Sequence, residues 1–135
     1  MSLSFPGFFA ALLLLQGAPT AIAPAEADEM AVPSLDQIPI EQAAAPRCGV
    51  AFALVGRWQR AGEPRGSAYP DMNSEGGREF FVRSMAGLMD SQGISREAVA
   101  AMVAAEAESL ATPEGEQKVA AMMPACLLMK QSAGL

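Results

Sequence analysis

The two cysteines, Cys48 and Cys126, constrain this chain more than any other feature. They stand in matching contexts, "PRCGVAFALV" from Pro46 and "PACLLMKQS" from Pro124, each a Pro-x-Cys opening an apolar stretch. Proline suits the first position of a helix, because the N–H it lacks would have had no intrahelical partner there. Inside a continuous helix it would remove a hydrogen bond and clash with the carbonyl four residues back, costing roughly 3 kcal/mol. The pattern therefore predicts a helix beginning at Pro46 and a final short helix beginning at Pro124, with a break near Met122. Each cysteine falls in a first turn. In an up-down bundle alternate helices are parallel, so the first and fifth helices would bring those turns to the same end and a Cys48–Cys126 disulfide is expected.

The competing reading of such a cysteine is chemical, since thiols at helix N-termini are acidified and reactive. The chain contains no histidine and no C-x-x-C pair. Two well-separated cysteines in an exported chain most simply make one disulfide. Closing a loop of about 80 residues should stabilise the fold by about 4–5 kcal/mol in the chain-entropy account.

Export is read from the first residues. The run "FFAALLLL" from Phe8 to Leu15 is followed by small residues, the pattern of a secretory signal. It is too short to span a bilayer as a helix. Ala21-Ile22-Ala23 and Ala25-Glu26-Ala27 are both A-x-A sites, and cleavage after Ala27 avoids Pro24 next to the cut. The segment before the apolar run has no Lys or Arg, which leaves a retained anchor as the alternative. Residues 1–27 are thus assigned to a signal peptide, residues 28–45 to an extended or disordered lead-in, and residues 46–135 to a helical domain. The location expected is periplasmic or secreted, without a stable membrane span after cleavage.

Removing residues 1–27 takes away one charge, Glu26, and leaves nine basic against fourteen acidic side chains. That balance repels phosphate backbones, and no basic block offsets it, so nucleic acid is not an expected partner.

After residue 45, apolar residues recur at spacings of three and four, and no segment alternates with period two for long enough to make a strand. The fold expected is all-α, a small bundle of four to five helices closed by one disulfide. Cys48, Ala51, Phe52, Val55 and Trp58 form the apolar face of the first helix, which Gly62 ends. "GEPRGSAYPDMN", Gly62 to Asn73, is a long connection. The second helix is expected from Asn73 or Ser74 to about Gln92, with Gly93 closing it in the left-handed region. Ser95 caps the third, whose stripe is Val99, Met102, Val103 and Leu110. Thr112-Pro113-Glu114 starts the fourth, with a capping hydroxyl, a proline and an acid in order.

Without histidine, Ser-His-Asp and Cys-His catalysis and the usual zinc sites are excluded, so no metal site and no cofactor is expected. Glu63, Asp71, Glu75 and Glu79 gather around the long connection, where two carboxylates could do acid–base work; a solvated face is the simpler account. Met85, Met89, Met102, Met122, Met123 and Met129 raise a Cu(I) carrier as an alternative function, since thioethers bind that ion, though methionine also packs cores well. Arg57, Arg60 and Arg65 cluster near Trp58 and Tyr69. Arginine beside aromatics recognises anions, while at the end of a helix it also answers the dipole. Trp58, Arg60, Tyr69 and Asp71 are the candidate binding residues, on or beside a long loop of the kind that carries function.

The arrangement of export signal, small helical domain and single long-range disulfide is similar in outline to small periplasmic acid-stress chaperones of Gram-negative bacteria. The similarity lies in organisation and carries no residue assignment. The function expected is non-enzymatic binding of another protein, as an inhibitor, immunity protein or chaperone-like factor.

Overall fold

A computed structural model describes residues 33–135. The signal peptide assigned to residues 1–27 and the first part of the lead-in lie outside the described residues. Within them the protein is all-helical: α1 (Ile40–Arg60), α2 (Gly77–Gln92), α3 (Arg96–Leu110) and α4 (Pro113–Ser132), with 3-10 turns at Leu35–Gln37 and Pro64–Ala68.

The lead-in expected as far as residue 45 is instead structured from Ser34. Ser34 and Gln37 form a reciprocal capping box around the first 3-10 turn, and Leu35 is buried in the core. Helix α1 begins six residues before Pro46, so that proline is internal to it and buried. The reason is tertiary. Ala43 and Pro46 both face the core, and their burial offsets the hydrogen bond that Pro46 cannot donate to the Gln42 carbonyl.

The break expected at Pro124 is also absent, for α4 runs unbroken through it. Val119, Met123, Cys126 and Lys130 are the buried residues of that stretch, spaced by four, three and four. A break near Met122 would put this stripe out of phase with the core. Among the described residues there are therefore four α-helices, and the two cysteines lie in the bodies of α1 and α4, not in first turns. The disulfide forms nonetheless, with Cα atoms 5.2 Å apart across a sequence separation of 78. The pairing predicted from sequence is right and the geometry that suggested it is not.

Helix α1 is the hub, packing against α2, α3, α4 and both 3-10 turns. Its expected face, Cys48, Ala51, Phe52, Val55 and Trp58, is buried, but so are Val50 and Leu54, which lie off that face. A helix covered on several sides becomes apolar all round. Helix α2 runs antiparallel to it: Gln42 meets Gln92 at one end, Gly49 nestles against Phe81 and Ser84 in the middle, and Asn73, just before α2, bonds the Gly56 carbonyl at the other.

The expected caps of α3 and α4 are present, Ser95 accepting from the Ala98 N–H and Thr112 from the Gly115 N–H. Gly62 and Gly93 take positive φ where the first two helices end. The start of α2 differs from expectation. Asn73 and Ser74 do not cap it; their side chains go to Arg60, Gly56 and Asp71, and left-handed Gly76 takes the capping position. Arg47 joins three elements by meeting Asp36 and Glu106. Burial is the largest influence on Glu106 and holds its carboxyl above the usual carboxylate range, against the opposing pull of Arg47.

Candidate functional site

Two surfaces merit description, one on either side of α2. The first is built by the connection after α1. Gln59, in the last turn of α1, organises it: the Nε2 amide donates toward the carbonyls of Gly66, Tyr69 and Pro70, while Oε1 accepts from the Met72 N–H at 2.9 Å. Gly66 is pressed against α1 so closely that an added Cβ would stand 2.8 Å from the Gln59 backbone nitrogen. One side chain thus holds a twelve-residue connection that spacing alone described as open loop. Its importance is hidden in sequence, because a lone Gln near a helix end has no distinguishing pattern.

Of the four candidate residues, Arg60, Tyr69 and Asp71 come together, lining a shallow pocket of about 340 Å³ with Gln59 and Asn73. Trp58 does not join them. Its side chain points into the core with 2% exposure, its indole N–H has no hydrogen-bond partner among the described residues, and its ring carries the Arg65 guanidinium 4.5 Å from its centroid. The three arginines of the sequence cluster thereby separate. Arg57 and Arg60 close the last turn of α1, whereas Arg65 pairs with Glu63 and with Glu116 of α4.

Asp71 accepts from the Asn73 N–H at 2.9 Å and the Ser74 hydroxyl at 2.8 Å. The Ser74 hydroxyl is the stronger cause of a carboxyl held below its ordinary value, followed by the Asn73 backbone. Glu63 and Glu79 pair with Arg65 and Arg83 respectively, and the Glu75 backbone carbonyl accepts from the buried Lys130 ammonium. The carboxylates of Glu63, Asp71 and Glu79 thus go to separate partners, and no two of the four acids line one of the pockets described.

Beyond Arg60 lies a second pocket, of about 300 Å³, lined by Phe52, Ala53, Gly56, Met72 and Phe81 with Arg60, Asn73 and Arg78. Arg78 is invisible to sequence spacing as a partner of Arg60, since it lies 18 residues further along the chain and only the antiparallel packing of α2 brings the two to one pocket.

The second surface is an apolar groove on the other side of α2. Helices α2 and α4 barely touch, and the gap between them is floored by α1. Ala45 and Pro46, Phe80, Gly87 and Leu88, and Met129 and Ala133 line a volume of about 400 Å³, with Gln42, Arg83, Ser84 and Ser91 adding the polar groups. Gly87, Ser91 and Ala133 are exposed, so the groove is open to solvent.

Met72, Met85, Met102 and Met123 are buried among core side chains; Met72 also floors the pocket beside Arg60, while the partly buried Met129 and Met122 each line another pocket. Among the described residues, no group of His, Cys, Asp and Glu is arranged to hold a metal ion, and no helix is long and apolar enough to cross a membrane.

The fold and these surfaces define a class by architecture, a disulfide-linked bundle in which, among the described residues, three α-helices pack around a central one. Comparison with protein-family models, curated proteins and solved structures finds no match to the chain.

Proposed function

We propose that the protein is exported, resides in the periplasm or outside the cell, and acts without catalysis by binding an apolar segment of another protein. One observation carries this reading: the solvent-open apolar groove between α2 and α4 over Ala45 and Pro46. An apolar helix or segment laid into a groove is a common mode of recognition. Ile40, in the turn of α1 that carries Gln42, adds a large apolar side chain at 71% exposure. The disulfide supports export, because such bonds persist in oxidising compartments. Among the acids of the long connection, Glu63, Asp71 and Glu79 are each bound to a separate partner, and no two of the four share a pocket, which gives no support to paired acid–base work there.

The test is a photo-crosslinking residue at position 87, where nothing lies within 4 Å of an added Cβ. In cells of the source organism it should trap one predominant protein, and Gly87→Glu should abolish capture by an affinity-tagged chain while leaving the thermal midpoint close to wild type. Capture unaffected by Gly87→Glu would refute the groove as the binding surface. N-terminal sequencing of the protein from a periplasmic fraction tests export, with Asp28 as the expected first residue.

A further inference from the structure

The pocket between α1 and the start of α2 has a chemistry that the groove lacks. Its floor is Phe52, Ala53, Met72 and Phe81, and two guanidinium groups, those of Arg60 and Arg78, line it with no carboxylate among the lining residues. This is unexpected in a chain of net charge −6. Arg47, Arg65 and Arg83 each meet an acid, yet neither Arg60 nor Arg78 has an ion-pair partner among the described residues. The acids that line the two adjoining pockets have partners of their own, Asp71 with Asn73 and Ser74 and Glu79 with Arg83.

Arg60 is also held in place. Its Nη1 donates to Asn73 Oδ1, and the Asn73 amide in turn donates to the Gly56 carbonyl at 3.2 Å. Gly56 permits this approach, since an added Cβ would stand 3.3 Å from Asn73 Oδ1 and 3.5 Å from Arg60 Nη1. Asn73 is thus a positioning residue for Arg60.

From this geometry we infer that the pocket is a binding site for a small apolar monocarboxylate, its carboxylate taken by Arg60 and Arg78 and its apolar body laid over Phe52, Met72 and Phe81. Guanidinium groups suit a planar carboxylate, offering paired parallel hydrogen bonds. The apolar floor gives the body of such an acid a surface to cover while its carboxylate meets the guanidinium groups at the rim. A volume of about 300 Å³ is at the small end for ligand sites and fits an acid of benzyl or short-chain size. A free organic acid and the last residue of a peptide share this chemistry.

The experiment titrates the oxidised chain with 3-phenylpropionate, 3-phenylpropanol, acetate and a phenylalanine-terminated tripeptide in free-acid and amide forms, read by calorimetry and by amide shifts. Phenylpropionate should bind and move Ala53, Gly56 and Phe81, whereas the alcohol and acetate should not. Arg60→Gln and Arg78→Gln, both at exposed positions, should each weaken binding by about ten-fold, the loss of a charge-assisted contact. The lysine variants should recover part of it. Tighter binding of the free acid assigns the site to small molecules, and tighter binding of the free-acid peptide assigns it to chain termini; both support a carboxylate site. Equal binding of alcohol and acid, no binding at millimolar ligand, or affinity unchanged in both glutamine variants would overturn it.

Discussion

Breaking the Cys48–Cys126 bond should remove a large part of the stability of this protein. The bond closes 78 residues, for which the loop-closure relation gives about 4.5 kcal/mol at 25 °C. A domain of this size is stable by about 5–15 kcal/mol in total, so between a third and nearly all of it is at stake. Two samples separate the causes. Reduced wild-type protein keeps both sulfurs and loses only the constraint on the unfolded chain, whereas Cys48→Ala with Cys126→Ala also empties buried volume in the bodies of α1 and α4. Urea unfolding followed by circular dichroism should show the reduced protein less stable by about 4–5 kcal/mol, the double variant lower still, and a thermal midpoint falling by about 20 °C or more. The urea dependence should steepen in both, as the unfolded state expands. A reduced protein whose stability stays within about 1 kcal/mol of the oxidised one would refute the chain-entropy reasoning.

Three further outcomes test particular contacts. Gly115→Ala should destabilise by about 1–3 kcal/mol, because its Cβ would stand 2.5 Å from the Leu110 backbone; Gly87→Ala, in open space, should stabilise by about 0.5–1 kcal/mol, and thermal melts giving both the same sign would contradict the packing at Gly115. Pro124→Ala restores an N–H to the Ala120 carbonyl at an exposed position and should raise stability by about 1–3 kcal/mol, while Pro46→Ala should gain less, since the buried ring leaves a void; chemical denaturation of the two variants gives the comparison. Glu106 has its carboxyl raised by burial in the folded state, so the folded protein binds that proton more tightly than the unfolded one. Its contribution is full below the ordinary carboxyl value and is lost as pH rises through the higher folded value; Glu106→Gln should flatten that part of the stability curve, measured as thermal midpoint between about pH 4 and 7.

The caps show what short-range chemistry makes legible. Thr112-Pro113-Glu114, Ser95 and Gly93 each satisfy or terminate backbone hydrogen bonds within a few residues, and each sits where the spacing placed it. The two prolines show the opposite. Their local preference is for a helix start, and in both cases burial of one continuous stripe outweighed it. Asn73 was a credible cap by residue type, but contacts with α1 claimed its side chain. In the candidate site, Arg60, Tyr69 and Asp71 were legible because they lie within a dozen residues of one another. Trp58, on the apolar face that spacing predicts for α1 and also a binding candidate by its arginine neighbours, is taken by the core, and Arg78 carries no signal in the sequence, since it reaches Arg60 only across the helix pair.

By itself the sequence determined the all-helical class, through apolar spacing and the absence of alternation, and the disulfide, through a count of two cysteines in matching apolar contexts. These follow from local periodicity and elementary thiol chemistry, which need no knowledge of what packs where. The tertiary structure alone decided that α1 is the hub, that both prolines lie inside helices, that Gln59 holds the long connection, and that Arg60 and Arg78 share an apolar pocket. Each of these depends on contacts between residues distant in the chain, where the burial of a whole face outweighs a preference worth a few kcal/mol at one position.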